Sequence, residues 1–352
     1  MSLISLLRRK NEKMLFTTPS HGGCFFIYNK FRQFYKSDIS ETDIHNPQEA
    51  LMNAQKKASV IYGTVATRFL TNGSTSGIIA SVLACVNPAD KVLVWENSHP
   101  CHKNAIKLAG GEIVEYALDT CPKFGVPMAL SPQQLEKNLK GDNIKAVIVT
   151  SPSYEGFVCD IEKIAEVCRS NQVYLIVDEA HGALYPFCDE LPKSAVKIAD
   201  FTVQSLHKTA GGLNPTALVH CTNKNLVNEL DNALSVINTT SPSYPMLATI
   251  EANINYLNSQ KGKKRILTLV NEIRKLRLKV NNIDFGGDDI TKILIKKDGL
   301  DGYKLSEILF EKYNIEDERT NSVSTMLLCG LGTNRQKLNR LEQALLSISK
   351  NF

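Results

Sequence analysis

The sequence predicts an α/β protein: a mostly parallel sheet covered by helices on both faces, followed by a smaller α+β unit. Between residues 50 and 225, short β-branched runs alternate with segments of helical period. Beyond about residue 255 the chain becomes rich in Lys, Leu and Asn, and strand and helix patterns are shorter. With 352 residues, 43% of them hydrophobic and 22% charged, this is a globular chain of about two domains, and fibrous or disordered classes are excluded. Alternation is the important signal, because each parallel strand needs a crossover that packs on a face of the sheet.

Taken in order, the strand-length runs are 91–95, 112–116, 146–150, 174–178 and 201–204, each apolar enough to be covered on both faces. Ser131 before Pro132 starts one crossover helix, and Asp160 caps the next, which runs over 161–168. A basic helix over 262–281 follows, then a strand at 292–297, a helix at 303–313, a strand at 323–329 and a helix at 333–349. The expected organisation is an N-terminal segment 1–50, a large domain 51–255 and a small C-terminal domain 256–352.

Composition narrows the function classes. The net charge of +5 is mild, and the densest basic run, Lys261 to Arg265 with Arg274, Lys275, Arg277 and Lys279, reads as a solvated helix face rather than a nucleic-acid surface. The first ten residues place apolar residues before charges, the reverse of a secretory signal. Residues 69–89 carry no charge, but the turn-forming run from Asn72 to Gly77 breaks them, so no membrane span is expected. Nine cysteines, an odd number without a C-x-x-C pair, point to small buried hydrophobes in a reducing cytoplasm and to no metal site.

Four segments carry unusual chemistry, each where a strand ends or a helix begins, the place at which open α/β sheets bind ligands. Ser74, Thr75 and Ser76, after Asn72-Gly73, sit at a helix start whose N–H groups and hydroxyls suit a phosphate; a plain helix cap is the alternative. A P-loop lysine is absent. Asp178-Glu-Ala-His181 ends a buried strand, where an acid needs a cationic or donor partner such as a protonated ring nitrogen, or else a cap or water. Ser205-Leu-His207-Lys208 follows another strand and offers either a surface lysine or a desolvated amine able to form a Schiff base. His99-Pro-Cys-His102 offers two imidazoles, for a metal or for stacking on a planar cofactor.

Together and in this order, the segments resemble the pyridoxal-phosphate-dependent ornithine/lysine/arginine decarboxylase family, of the aspartate-aminotransferase-like fold (fold type I). The resemblance begins at Thr18-Pro-Ser-His-Gly-Gly23, similar to the family's Pro-Gly-His-Lys-Gly-Gly, and continues through Ser37 to Pro47, the four segments, Thr239 to Tyr244, and Tyr313-Asn-Ile-Glu-Asp-Glu318. It implies a seven-stranded-type sheet, pyridoxal 5'-phosphate as cofactor, and loss of the α-carboxylate of an amino acid, most simply Lys, Orn or Arg, to give the amine. Lys208 resembles the lysine that holds the cofactor, Asp178 the acid paired with its ring nitrogen, and His102 the imidazole stacked on its face. Ser74, Thr75, Ser76, Ser205 and His207 resemble the residues around the phosphate, and His181 lies beside the ring. Lys208 or His102 is the expected proton donor.

Further expectations come from departures and from the fold. Ser20 and Gly22 depart from the opening motif, Gly211-Gly212 is expected to loosen the loop beside the cofactor, and Arg319 is a weak candidate for a carboxylate clamp. The chain is expected to be a short form without the C-terminal domain of longer members. The resemblance also implies a homodimer in which the loop at Thr240 to Tyr244 reaches toward the neighbouring active site. An aminotransferase or another lyase, and a non-catalytic cofactor-binding paralogue, are the alternative functions.

Overall fold

The computed structural model describes residues 13–21, 33–36, 38 and 47–351. The N-terminal apolar stretch, Cys24, Gly22 and Gly23 of the opening motif, and residues 39–46 lie outside the described residues.

The first half runs β1 (Met14–Leu15), α1 (Pro47–Tyr62), β2 (Ala66–Leu70), α2 (Gly73–Leu83), β3 (Lys91–Trp95), α3 (Pro100–Leu108), β4 (Glu112–Tyr116), a small hairpin of β5 (Thr120–Cys121) and β6 (Val126–Pro127), and α4 (Pro132–Leu139). Then come β7 (Ile144–Thr150), α5 (Ile161–Ser170), β8 (Tyr174–Asp178), β9 (Phe201–Ser205), α6 (Leu206–Thr209), β10 (Ala217–Cys221), α7 (Val227–Ile237), α8 (Tyr244–Asn258) and α9 (Gln260–Lys279). The remainder is β11 (Asp284–Gly286), β12 (Lys292–Lys296), α10 (Gly302–Tyr313), β13 (Ile315–Glu316), β14 (Arg319–Thr320), β15 (Thr325–Leu328) and α11 (Arg335–Asn351).

A seven-stranded sheet has the order β2-β10-β9-β8-β7-β3-β4. Its pairings are parallel except those of β10, which is antiparallel to both β2 and β9. β10 runs against the rest because a short loop, not a helical crossover, returns the chain from α6. Alternation along the strands divides the core. Val92, Val94, Ala146, Ile148 and Ile176 pack with α2, α3 and α7 on one face. Leu93, Val147, Val149, Leu175 and Val177 pack with α4 and α5 on the other. Two buried faces explain why the strands read as continuous apolar runs.

Local chemistry sets the crossovers. Ser131 and Gln134 form a reciprocal capping box at the start of α4, and Asp160 accepts from Lys163 N at the start of α5. The uncharged stretch expected not to span a membrane divides into β2 and α2. On α9, Lys261, Lys263, Lys264, Arg274, Lys275 and Lys279 face solvent, while Arg265 and Arg277 turn in to donate to the carbonyls of Thr333 and Lys292 at 2.7 and 3.0 Å.

A four-stranded antiparallel sheet, β11-β12-β15-β14, follows, packed with Phe16, α9, α10 and α11. α2 comes unusually close to the large sheet: a Cβ on Gly77 would lie 2.7 Å from Val203 Cγ1 and 2.8 Å from Leu70 Cδ1. Gly77→Ala gains about 1 kcal/mol of helix propensity but overpacks the contact at a cost of about 1–3 kcal/mol. A net loss is expected as a lower urea midpoint; an unchanged or higher midpoint would show that the helix can move off the sheet freely.

Candidate active site

The C-terminal ends of β3, β7, β8 and β9 share one edge of the sheet, because these strands are parallel. β2 runs in the same direction, so α2 begins at that edge as well. There the chain encloses a cavity of about 720 Å³. Of the residues expected at the site, Ser74, Thr75, Asp178, His181, His207 and Lys208 line it.

The start of α2 is open to an anion. Its N-cap, Asn72, makes no side-chain capping bond, so the first-turn N–H groups are left to another partner. Ser76 contributes no hydroxyl to the cavity: its Oγ donates to Gly73 O at 2.8 Å. Ser205 is fully buried beneath the cavity wall, and its Oγ has no partner among the described residues. Ser98 Oγ, on the lining, is likewise buried and unpaired. His207 Nδ1 bonds Thr216 O at 3.0 Å, and burial lowers the pKa of the ring.

Asp178 Oδ2 lies 2.8 Å from His102 Nε2, and Oδ1 accepts from Ala180 N at 3.1 Å. A carboxylate only accepts, so Nε2 carries the proton. Burial opposes the charge on Asp178, but the His102 hydrogen bond and charge, with Lys208 and the Ala180 N–H, prevail and hold the carboxyl at about 2. His102 is fully buried against Asp178, and it is not among the residues that line the cavity. His99 is on the cavity lining. It is the N-cap of α3, ahead of Pro100, with its Nδ1 2.9 Å from Cys101 Sγ.

Lys208 is half-buried on the one-turn helix α6, with Nζ 3.1 Å from His181 Nε2. The glycine pair after it is packed rather than loose. Gly211 has φ +76°, and a Cβ on Gly212 would meet Thr216 Oγ1 at 2.7 Å and Leu206 Cβ at 2.8 Å. Glycine is needed here for close approach, which corrects the expectation of a loosened loop. Ser20 abuts the same region: its backbone N–H donates to His207 O at 3.1 Å.

Several wall residues had escaped the sequence reading. Tyr154 and Glu155 follow β7 and line the cavity, a position that the strand-end rule could have flagged. Tyr154 stacks edge-on against His181 at 4.8 Å and donates to Glu318 Oε1 at 2.6 Å. Arg319 also lines the cavity, 4.9 Å over the Tyr154 ring and 3.5 Å from Glu155 Oε1. Behind His181 lies Lys292, fully buried, whose position at the head of a strand gives no sign of it.

Fold and site define an α/β protein of the aspartate-aminotransferase-like class, fold type I. A family model, Orn/Lys/Arg decarboxylase, major domain, matches residues 6–293, and the chain belongs to this family. Arginine decarboxylase of Bacillus anthracis is 31% identical over 330 residues, covering 88% of this chain and 66% of that protein. The solved lysine decarboxylase of Francisella novicida superposes with a TM-score of 0.77 at 18% identity, over 94% of this chain and 55% of its own. A structure of SPT with PLP gives 0.74 at 12% identity, over 96% and 88%. The chain therefore spans about two thirds of the first of these relatives and about half of the second.

The lowered pKa of Asp178 has a thermodynamic consequence. Its folded value of about 2 lies below the unfolded value of about 3.9, so its contribution is present above about pH 4 and lost as pH falls toward 2. Urea midpoints measured from pH 5 to 2 are expected to fall less steeply in Asp178→Asn than in the parent chain; parallel slopes would contradict the pairing.

Proposed function

We propose that this chain is a pyridoxal-phosphate-dependent decarboxylase of a basic amino acid: arginine, lysine or ornithine. The observation that carries the reading is the convergence of Lys208, Asp178 and the uncapped start of α2 on one cavity, in a chain of this family. The residues present fit the cofactor. The buried Ser98 hydroxyl, without a partner among the described residues, and the uncapped N–H groups of α2 call for an acceptor-rich group, and Ser74, Thr75 and His207 line the same cavity. When bound, the cofactor supplies a conjugated electron sink for the pair released from the Cα–carboxylate bond.

The protein's own groups do the rest. Lys208 Nζ offers the amine that holds the cofactor and exchanges it for the amine of the substrate. Asp178, its charge secured by His102, keeps the proton on the ring nitrogen, while His99 presents its ring to the cavity as the stacking face. Lys208 returns a proton to Cα after the carboxylate leaves, and His99 is the second donor within the cavity. Glu155, 5% exposed on the cavity wall, is a carboxylate suited to a cationic side chain.

Arg319 on the wall favours a second reading, transamination, since an Arg clamp holds an α-carboxylate in place. Against it, Arg319 is more than half exposed and engaged with Tyr154 and Glu155. A homodimer, with residues 239–243 between α7 and α8 at the shared boundary, belongs to the proposal and is tested by sedimentation.

Incubated with cofactor and a panel of amino acids, the protein is expected to release carbon dioxide and the matching amine from a basic one. Keto acid in place of amine would establish transamination instead. Lys208→Ala is expected to lose the absorbance band near the visible edge and to lower turnover roughly 10³-fold or more; a parent protein lacking that band would sink the cofactor reading.

A further inference from the structure

Lys292 is the most deeply buried cation near the site. Its Nζ lies 2.5 Å from His181 Nδ1 and 3.3 Å from Tyr154 O. The wall is shaped around it: Gly156 has φ +99°, and a Cβ there would come within 2.8 Å of Lys292 Cβ. The other ring nitrogen of His181 lies 3.1 Å from Lys208 Nζ. One imidazole thus bridges two amines, one on the cavity and one sealed from water.

A neutral imidazole has one N–H and one lone pair, so it donates to one amine and accepts from the other. His181 is held neutral: burial pushes its pKa well down, and the charges of Lys208 and Lys292 push it further. We infer that Lys292, His181 and Lys208 form a proton relay in which Lys292 stores the proton that Lys208 must shed to bond a carbonyl carbon and regain to deliver at Cα. This rests on the reading of Lys208 as the cofactor lysine. In the forward step an N–H bond of the Lys292 ammonium breaks as one forms at His181 Nδ1. The Nε2–H bond breaks as one forms at Lys208 Nζ. The ring ends as its other tautomer, one positive charge has moved between amines, and no electrons are transferred; the reverse step restores the tautomer.

The surroundings suit a proton that is held but can be released. Burial lowers the Lys292 pKa to about 8, opposed by Asp289, while Lys208 lowers it further and Glu318 and Glu155 raise it. His207 and His99 face His181 from the cavity side. A solvent-exposed lysine would hold its proton too firmly to exchange with a neighbour near neutral pH.

Lys292→Met keeps most of the length of the side chain without its proton. With the cofactor stripped and added back, the variant is expected to regain the band near the visible edge about tenfold or more slowly at pH 7, the gap closing as pH rises and hydroxide takes over the relay's part as proton acceptor. Lys292→Arg, which keeps the charge but releases no proton, is expected to be equally slow, and His181→Asn combined with Lys292→Met to be no slower than either alone. Parent-like rates in Lys292→Met, or full rescue by arginine, would overturn the relay. A second measurement needs no cofactor: in ¹⁵N-histidine-labelled apoprotein, the His181 ring signals are expected to shift their tautomer balance in Lys292→Met. Identical signals would also overturn the relay, whereas a parent protein that never regains the band fails the cofactor reading and leaves this measurement to decide.

Discussion

A carboxylate closed off at the end of β8 constrains everything around it. Asp178 is buried on a strand covered on both faces, where an unpaired charge would cost several kcal/mol. It is made tolerable by His102 on one oxygen and the Ala180 N–H on the other, with Lys208 nearby. The His102 bond fixes the rotation of α3 about its axis. Once that residue points inward, His99, the cap one turn earlier, with ψ 136°, is left at the cavity mouth. The positions of two histidines three residues apart thus follow from one buried charge.

The parts of this arrangement that could be read in the sequence are those whose causes are local. β3, β7, β8 and β9 show as apolar runs because both of their faces are buried, and their ends mark the site because parallel strands share an edge. β2 and β10 were not legible because their polar residues are satisfied far along the chain. Arg68 bonds Asp231, and Thr67 bonds His220 across the sheet. Read locally, Ala-Thr-Arg-Phe-Leu has no reason to be a buried strand.

The different placement of the two histidines has a related cause. His99 and His102 carry the same chemistry, and only the start of the helix separates them. Pro100 is the local sign, since proline favours the first helical position and makes the residue before it the cap. Lys292 left no sign at all. A lysine heading a strand is normally a solvated end, and its burial depends on Gly156, 136 positions earlier, leaving room for it.

The same seam shows that the second sheet is part of the site. The Gly156 carbonyl accepts from both Asp288 and Asp289, which tie the loop after β7 to the loop before β12. Across that seam Lys292 meets His181, Arg319 lies over Tyr154, and Tyr154 bonds Glu318. The large sheet supplies Asp178 and Lys208, the groups that act on electrons and protons in the proposed chemistry. The C-terminal sheet supplies the closing wall and the buried amine behind His181. A change in how the two sheets meet at Gly156 would therefore reach the cavity through a charge and a proton donor, not only through its shape.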